Sequence, residues 1–250
     1  METTNRSNVT LSVSGSLRQD LKSVSALLRF SKVSPLPLQD PVPFPPQGAV
    51  EVWTDASGHI VASPSIGIFV PSSGLERPLV AALALPRSFL QAEDEKGHKS
   101  FCKTTTLECL AYLTVVCLDP MRFVETSALF HIDNGASVLA LQKGRSKTDP
   151  WATTLVRAAR VVAAFLGCSL FTEWERRRSS RNSEIADDLT HNLVSKLNDE
   201  ELVSYLRLSA FSFPSPILQW MAKPAQDSSL GYRCVEWLRQ KYPELNMLKK

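Results

Sequence analysis

The pattern of apolar and polar positions predicts an α/β domain whose first strand begins just after Gly48. Residues 49–56 alternate in the manner of an extended chain, and their types favour β structure. Two apolar runs follow, over 66–70 and 79–85, and each is ended by a proline. We therefore expect these three segments to form an antiparallel meander.

Helical and strand-like patterns alternate in the second part of the chain. The elements that they predict, in chain order, are a helix over 103–118, a strand over 127–132, a short helix ending near 142, a helix over 150–166, a strand over 169–174 and a helix that is capped by Asn182 and runs to about residue 197. A meander followed by alternating helices and strands implies a mixed sheet covered by helices. The order of elements thus favours an α/β fold.

The domain, predicted over 48–198, is flanked by two segments of different composition. Residues 1–47 combine a polar start, for which we expect disorder, with a short amphipathic helix over 17–30 and a proline-rich tether over 35–46. Residues 199–250 hold further prolines and another helical stretch, and we expect them to form a C-terminal extension.

Composition and charge indicate the class of protein and its compartment, but they do not identify a binding partner. Of the 250 residues, 44% are hydrophobic and 21% are charged, as in ordinary globular chains. The net charge of +3 neither requires nor excludes a polyanionic partner. The five cysteines form no Cys-x-x-Cys pair, and no apolar run approaches the ~20 residues of a membrane span. We expect an intracellular protein, cytoplasmic or nuclear, without a membrane partner.

Acidic residues recur where predicted strands end or helices begin. If the mixed sheet forms, they can all face one of its edges, where they would repel one another unless cations neutralise them. Oxygen ligands without paired histidine or cysteine favour Mg²⁺ or Mn²⁺ over zinc, and two such ions suit displacement at phosphorus. The acids are Asp55 at the end of the first strand, Glu108 on the following helix, Asp133 after the fourth strand, and Asp187 and Asp188 on the last helix.

Each acid also has a local structural explanation. Asp55 is suited to an Asx turn onto residues 57–58, and Thr105 and Glu108 have the spacing of a capping box. Asp133 is suited to the N-cap position of the next helix, and acids in the first turns of the last helix oppose the helix macrodipole. The residues alone leave these local roles open beside a shared metal site.

The same strings resemble the motifs of the ribonuclease H family, specifically the ribonuclease H domains that follow reverse transcriptase in retroelements. The strings are Thr54-Asp55-Ala56-Ser57, Leu107-Glu108-Cys109-Leu110-Ala111, Ile132-Asp133-Asn134, the basic string Lys143-Gly144-Arg145-Ser146, and the closing segment Asn182 to Leu189. The resemblance covers roughly residues 48–197. It implies a ribonuclease H-like mixed sheet of five strands, with an antiparallel meander of three and a parallel fourth and fifth, flanked by helices.

The resemblance also implies an activity and its ligands. It implies a metal-dependent endonuclease that cleaves the RNA strand of RNA–DNA hybrids, with two Mg²⁺ or Mn²⁺ ions held by Asp55, Glu108, Asp133 and Asp187. Asp187 holds the motif position on the last helix, although its neighbour Asp188 can replace it as the ligand. A reverse transcriptase polymerase domain is the protein partner that such elements imply.

Basic residues flank the last two motifs, and we expect them to contact substrate phosphates, which position a duplex without reading its sequence. The alternative is a pair of solvated charge runs. Ser57 and Asn134 are candidates for contacts to the 2′-hydroxyl groups that distinguish RNA from DNA. The basic candidates are Lys143, Arg145, Lys147, Arg176, Arg177, Arg178 and Arg181.

Departures from the family pattern leave a second hypothesis open. Gly67 is the only match to a glycine-rich second strand, and residues 171–186 contain no histidine before the last acid. A catalytically weak or inactive ribonuclease H-like domain that binds nucleic acid or a protein would share the same motifs. The sequence is therefore compatible with an enzyme and with a binding module.

Overall fold

The computed structural model describes residues 45–58, 65–74, 76–90, 103–209 and 212–246. The helix predicted over 17–30, most of the proline-rich tether and the turn at His59 lie outside these residues. Within the described ranges, no helix is both long enough and apolar enough to cross a membrane.

Six strands of the described residues form one mixed sheet. They are β1 (Val50–Ser57), β2 (Ser65–Val70), β3 (Leu79–Ala84), β4 (Ser127–Ile132), β5 (Ser169–Trp174) and β6 (Tyr205–Leu208). Their order across the sheet is β5-β4-β1-β2-β3-β6. β1, β2 and β3 are antiparallel neighbours, whereas β4 is parallel to β1 and β5 is parallel to β4. The predicted ribonuclease H-like arrangement of these five strands is confirmed.

The sixth strand corrects the predicted strand count of five. β6 runs parallel to β3 and extends the sheet beyond it. The strand is only four residues long, and its β structure comes from pairing with β3 and not from a local pattern. A segment that the sequence assigned to the C-terminal extension therefore joins the sheet.

Helices cover both faces of the sheet. They are α1 (Arg87–Leu90), α2 (Thr104–Leu118), α3 (Gly135–Lys143), α4 (Pro150–Leu166), α5 (Arg181–Thr190), α6 (Asp199–Ser204), α7 (Ser215–Ala222) and α8 (Leu230–Lys241). Short 3₁₀ turns lie at Pro120–Phe123 and Pro243–Asn246. The bounds of β4, β5 and α4 agree with the predicted ones.

The alternation of side chains along β1 divides the core into two layers. Val52 belongs to the larger apolar cluster, to which α2, α4, α7 and α8 contribute. Trp53 belongs to a smaller cluster, to which α5 contributes Ile185 and Leu189. Successive side chains of a strand point to opposite faces, so β1 contacts both helix layers. The larger cluster also contains buried free thiols, namely Cys109, Cys117, Cys168 and Cys234.

Two glycines allow helices to approach their neighbours closely. A Cβ at Gly67 of β2 would lie 2.1 Å from the carbonyl oxygen of Ala186, so a larger residue would push α5 away from the sheet. A Cβ at Gly231 would lie 2.8 Å from the Cβ of Val161, where α8 meets α4. The first contact fixes the position of α5, and with it the acids that follow Ala186.

The helix α5 begins two residues earlier than predicted and is shorter. Its N-cap is Ser180 and not Asn182, because the Ser180 side chain accepts a hydrogen bond from the backbone N–H of Ser183. The helix ends at Thr190, shortly before Asn192 adopts a left-handed backbone conformation with a φ of 58°. That conformation cannot continue a right-handed helix, so the predicted extension to 197 is wrong.

Candidate active site

Two parallel strands and one helix bring three of the predicted acids together. β1 and β4 pair with Trp53 opposite His131, so Asp55 and Asp133, each two residues further along, reach the same edge of the sheet. α2 places Glu108 in its second turn. One carboxylate oxygen from each acid lies within 4.8 Å of the others. These three residues are called the acid trio below.

The helix caps exclude two of the local explanations. The N-cap of α2 is Lys103, which makes no side-chain capping bond, and the buried Glu108 closes no capping box. The N-cap of α3 is Asn134, whose side chain accepts a hydrogen bond from the backbone N–H of Ser137 at 3.0 Å. Neither Glu108 nor Asp133 is therefore needed to begin a helix.

Burial and mutual repulsion disfavour the charged forms of the acid trio. Burial, followed by the charge of Asp133, raises the pKa of Asp55 to about 6. Burial, followed by the charges of Asp55 and Asp133, raises the pKa of Glu108 well above its ordinary value. Burial also raises the pKa of Asp133, although the Arg177 guanidinium opposes this effect. The trio therefore retains protons at a pH where exposed carboxylates are ionised.

The acid trio fits a hard divalent cation. Asp55 Oδ2 and Glu108 Oε2 are buried without a hydrogen-bond partner, and such atoms are unfavourable unless something binds them. Converging carboxylate oxygens are the ligands that Mg²⁺ and Mn²⁺ prefer, and the trio includes no softer donor. The residues present thus match the kind of metal that the sequence motifs imply.

The two acids of α5 differ in their positions. Asp187 lines a small cleft that also contains two members of the acid trio, whereas Asp188 does not line it. Burial raises the pKa of Asp187, but hydrogen bonds from Arg177 and then Arg178 outweigh burial, so the pKa is lowered. Asp188 accepts a hydrogen bond from Arg178 Nη1 at 2.8 Å. Of the two, Asp187 is the one that faces the trio.

Arg177 spans both groups of acids. Its guanidinium pairs with Asp187, and its nitrogens lie 3.7 Å from Asp55 Oδ2 and 3.8 Å from Asp133 Oδ2. The neighbouring Arg178, with a left-handed φ of 54°, turns toward the acids of α5 instead. The Arg177 side chain is 56% exposed, so it is accessible from solvent.

The remaining predicted substrate contacts lie in different environments, and none of them lines the cleft. Ser57 is half-buried at the end of β1, and Asn134 caps α3. Arg181 is held by both carboxylate oxygens of Glu201, so it has a structural partner. The exposed candidates are Arg176 in the loop after β5 and, from the end of α3 onward, Lys143, Arg145 and Lys147.

Hydrogen bonds join the end of the basic segment after α3 to the start of α2. Lys103 Nζ donates to the carbonyl oxygen of Thr148 at 2.5 Å, and Thr106 Oγ1 donates to Asp149 Oδ2 at 2.7 Å. Both donors lie at the start of α2, close in sequence to Glu108. The predicted phosphate contacts of this segment are therefore attached to the helix that carries a trio member.

Sequence reasoning missed a polar network on the wall of the cleft. Trp53 Nε1 donates to Glu175 Oε2 at 2.8 Å, and the same oxygen lies 3.2 Å from His131 Nδ1. The Trp53 and His131 rings stack with their centroids 4.3 Å apart. Ser180 Oγ donates to Glu175 Oε1 at 2.5 Å, so the network anchors the loop that carries Arg177. The strand pattern places both rings on one face, but Glu175 has no local signal in the sequence.

No family model matches the sequence, and no curated protein matches it. Among solved structures, the chain is similar to ribonuclease H1 from the halophilic archaeon Halobacterium salinarum NRC-1, with 14% identity and a TM-score of 0.37. The similarity covers 57% of this chain and 94% of that chain. The fold assignment therefore rests on the strand order and strand directions described above.

Proposed function

We propose that this protein is a metal-dependent endonuclease that hydrolyses the RNA strand of RNA–DNA hybrids with two divalent ions. The observation that carries the proposal is the acid trio, in which carboxylates from three separate elements converge. Burial raises the pKa values of Asp55 and Glu108, and each has an oxygen without a hydrogen-bond partner, so their ionised forms are unfavourable unless a cation neutralises them. Mg²⁺ and Mn²⁺ are the ions whose ligand preferences the trio meets.

The acids have related roles in the proposed reaction. Asp55, Glu108 and Asp133 would hold the ions, and Asp187 would supply a fourth carboxylate from α5. Two divalent ions bound there would supply an activated water and would stabilise the 3′ leaving oxygen of the scissile phosphate. Arg177, released from the acids, is then placed to neutralise a substrate phosphate.

The substrate contacts follow from the exposed residues around the trio. The basic side chains of Arg176, Lys143, Arg145 and Lys147 are proposed to contact phosphates on either side of the scissile bond. Asn134 uses Oδ1 to cap α3, so its amide N–H groups are the part proposed to donate to a 2′-hydroxyl. Such a donor would favour an RNA strand over DNA at this position.

Hydrolysis of a labelled RNA–DNA hybrid in Mg²⁺ or Mn²⁺ tests the proposal. We expect wild-type protein to release RNA fragments with 3′-hydroxyl and 5′-phosphate ends, and Asp55→Asn and Asp133→Asn to be at least about 100-fold slower. Asp199→Asn is the matched control, because Asp199 lies in the first turn of α6 and outside the trio. Equal rates in all four proteins would show that the cleavage does not come from the trio.

A second candidate function is an inactive or weakly active domain that binds nucleic acid or a protein. The observation that favours it is Arg177, whose guanidinium contacts acids of both groups and so supplies an internal positive charge. In that case the hybrid stays intact but is bound, with an affinity that falls as salt rises. Hydrolysis and fluorescence anisotropy on the same labelled hybrid distinguish the two functions.

A retroelement origin, with a reverse transcriptase polymerase domain as partner, completes the proposal. Its support is the order of the sequence motifs, including the basic string from Lys143 to Ser146 after the third acid. Sequencing the genomic region upstream tests it. A polymerase reading frame joined to this one would support the origin, and unrelated flanking genes would count against that partner.

A further inference from the structure

Trp174 is the most exposed of the five tryptophans, with 56% of its surface accessible. By contrast, Trp53 and Trp220 are buried in the two apolar clusters. Burial of so large an apolar ring would stabilise the fold, and an exposed indole contributes little of that free energy. The position of Trp174 therefore calls for an explanation other than core packing.

The Trp174 ring is held in one orientation. It is the last residue of β5 and pairs with Ile132 of β4, and its Nε1 donates to the carbonyl oxygen of Asp133 at 2.9 Å. A Cβ at Gly135 would lie 4.0 Å from Trp174 Cδ1, so the ring lies over the first residue of α3. A flat apolar surface that is already oriented loses little conformational freedom when it binds a ligand.

The ring also lies beside the acid trio. The carbonyl that it binds belongs to Asp133, a trio member, and the exposed Arg176 follows two residues later in the chain. A nucleic-acid strand with one phosphate at the trio would bring an adjacent nucleotide to the indole. The basic side chain and the aromatic ring together form the combination that binds single-stranded nucleic acid, by phosphate attraction and base stacking.

We infer that Trp174 is a stacking platform for an unpaired nucleobase, so that the preferred substrate is a hybrid duplex joined to a single-stranded segment. This inference rests on the proposed function. The base must be unpaired because, inside a duplex, neighbouring bases already cover both of its faces. An overhang at the end of the hybrid presents a free face, and stacking on it does not depend on the identity of the base.

Binding of blunt and tailed hybrids tests the inference. Fluorescence anisotropy is measured with a labelled blunt RNA–DNA hybrid and with the same hybrid carrying a single-stranded 3′ or 5′ tail. Each protein also carries Asp55→Asn, so that cleavage does not interfere. We expect Trp174→Ala to weaken binding of one tailed hybrid by about 5- to 100-fold. Binding of the blunt hybrid should change by less than about twofold.

Two further variants separate stacking from a structural role. Trp174→Phe keeps an aromatic face but loses the hydrogen bond to Asp133, and we expect it to restore most of the binding to the tailed hybrid. Leu139→Ala is the control, because Leu139 is also apolar and 51% exposed on α3. It should leave the binding of both hybrids unchanged.

The outcomes separate this inference from the nuclease proposal. Equal losses on blunt and tailed hybrids in Trp174→Ala, or no loss on either, would overturn the stacking platform. Ring-dependent binding of a tailed hybrid by a wild-type protein that cleaves nothing would support the platform and contradict the nuclease. Cleavage of blunt and tailed hybrids with equal KM in wild type and Trp174→Ala would support the nuclease and contradict the platform.

Discussion

The acid trio and the acids of α5 line one region of the molecule in opposite electrostatic states. In the trio, burial followed by mutual repulsion raises the pKa values, and two carboxylate oxygens have no hydrogen-bond partner. On α5, burial raises the pKa of Asp187, but two arginines outweigh burial and lower it. The arginines therefore outweigh burial at Asp187 but only partly offset burial and repulsion in the trio.

The difference follows from the elements that carry the acids. The trio is built from two paired strands and a buried helix, so its backbone positions are fixed by regular secondary structure. The acids of α5 face a loop of exposed arginines, whose long side chains can exchange one partner for another. If the proposed cation binds, the trio would supply its ligands, and the arginine loop would compete with the cation for the same carboxylates.

The largest effect is expected from Glu108→Gln, which removes the most deeply buried carboxyl group of the trio and keeps the shape of the side chain. Because Glu108 has no capping role, the helix should stay folded. We expect affinity for Mn²⁺, measured by isothermal titration calorimetry, and hydrolysis of the hybrid both to fall by about 100-fold or more.

The matched control for Glu108→Gln is Glu184→Gln. Glu184 lies on α5 and pairs with Lys196, away from the trio. The Glu184→Gln variant should bind Mn²⁺ as tightly as wild type. If Glu108→Gln bound Mn²⁺ as tightly as wild type, the contrast between the two regions would not concern metal binding.

The next effect is a pH dependence of stability in metal-free buffer. The pKa of Asp55 is about 6 in the folded protein against 3.8 for the ordinary residue. Between these values the folded state binds more protons than the unfolded state, so the free energy of unfolding falls as pH rises. Each pKa unit corresponds to ~1.4 kcal/mol, so Asp55 should lower the free energy of unfolding by about 1–3 kcal/mol over this pH range.

Urea unfolding of wild type and Asp55→Asn at pH 4 and pH 7 measures this effect. The variant lacks the titrating group, so its stability relative to wild type should be greater at pH 7 than at pH 4. Comparing the two proteins cancels carboxylates such as Asp187, whose lowered pKa acts in the opposite direction. The same difference at both pH values would show that Asp55 is not destabilised by its surroundings.

Local patterns predict the parts of this site that lie on regular elements. The strands β4 and β5 and the helix α4 have the predicted bounds because their periodicity, a proline and flanking glycines are local signals. The parallel pairing of β1 and β4 then brings Asp55 and Asp133 together. Trio geometry thus follows from the strand order that the motifs imply.

Features that depend on distant partners could not be predicted in the same way. β6 is a strand only because β3 offers an edge to pair with. Ser180 and Asn182 are both good N-cap residues, and tertiary contacts of Ser180 with Glu175 favour the first. The partners of Arg177 depend on which acids a flexible side chain can reach in the folded chain.

A smaller effect is expected from Arg177→Gln, which removes the cation shared by the two regions. Without it, Asp55 and Asp133 lose an opposing charge, so their repulsion increases and a divalent ion becomes a stronger competitor. We expect the Mn²⁺ affinity to rise by about 10-fold, which corresponds to ~1.4 kcal/mol. The measurement is the shift in melting temperature across a Mn²⁺ titration.

Arg176→Gln is the control for this change. Arg176 is the exposed neighbour in the same loop, and its substitution removes the same charge. Its Mn²⁺ affinity should stay within about twofold of wild type. An equal rise in both variants would mean that net charge, and not contact with the trio, sets the affinity.

The smallest effect is expected from Asp188→Asn, and it decides between the two acids of α5. Asp188 is bound to Arg178 and does not line the cleft, whereas Asp187 lines it together with trio members. The loss of an ion pair with a largely exposed arginine has little effect, so Mn²⁺ affinity and hydrolysis should change by less than roughly threefold.

Asp187→Asn is the comparison. It should lower Mn²⁺ affinity and the rate of hydrolysis by about 10-fold, because it removes a carboxylate that faces the trio. A greater loss in Asp188→Asn than in Asp187→Asn would assign the fourth position to Asp188, and would require α5 to turn from the orientation that its contact with Gly67 imposes.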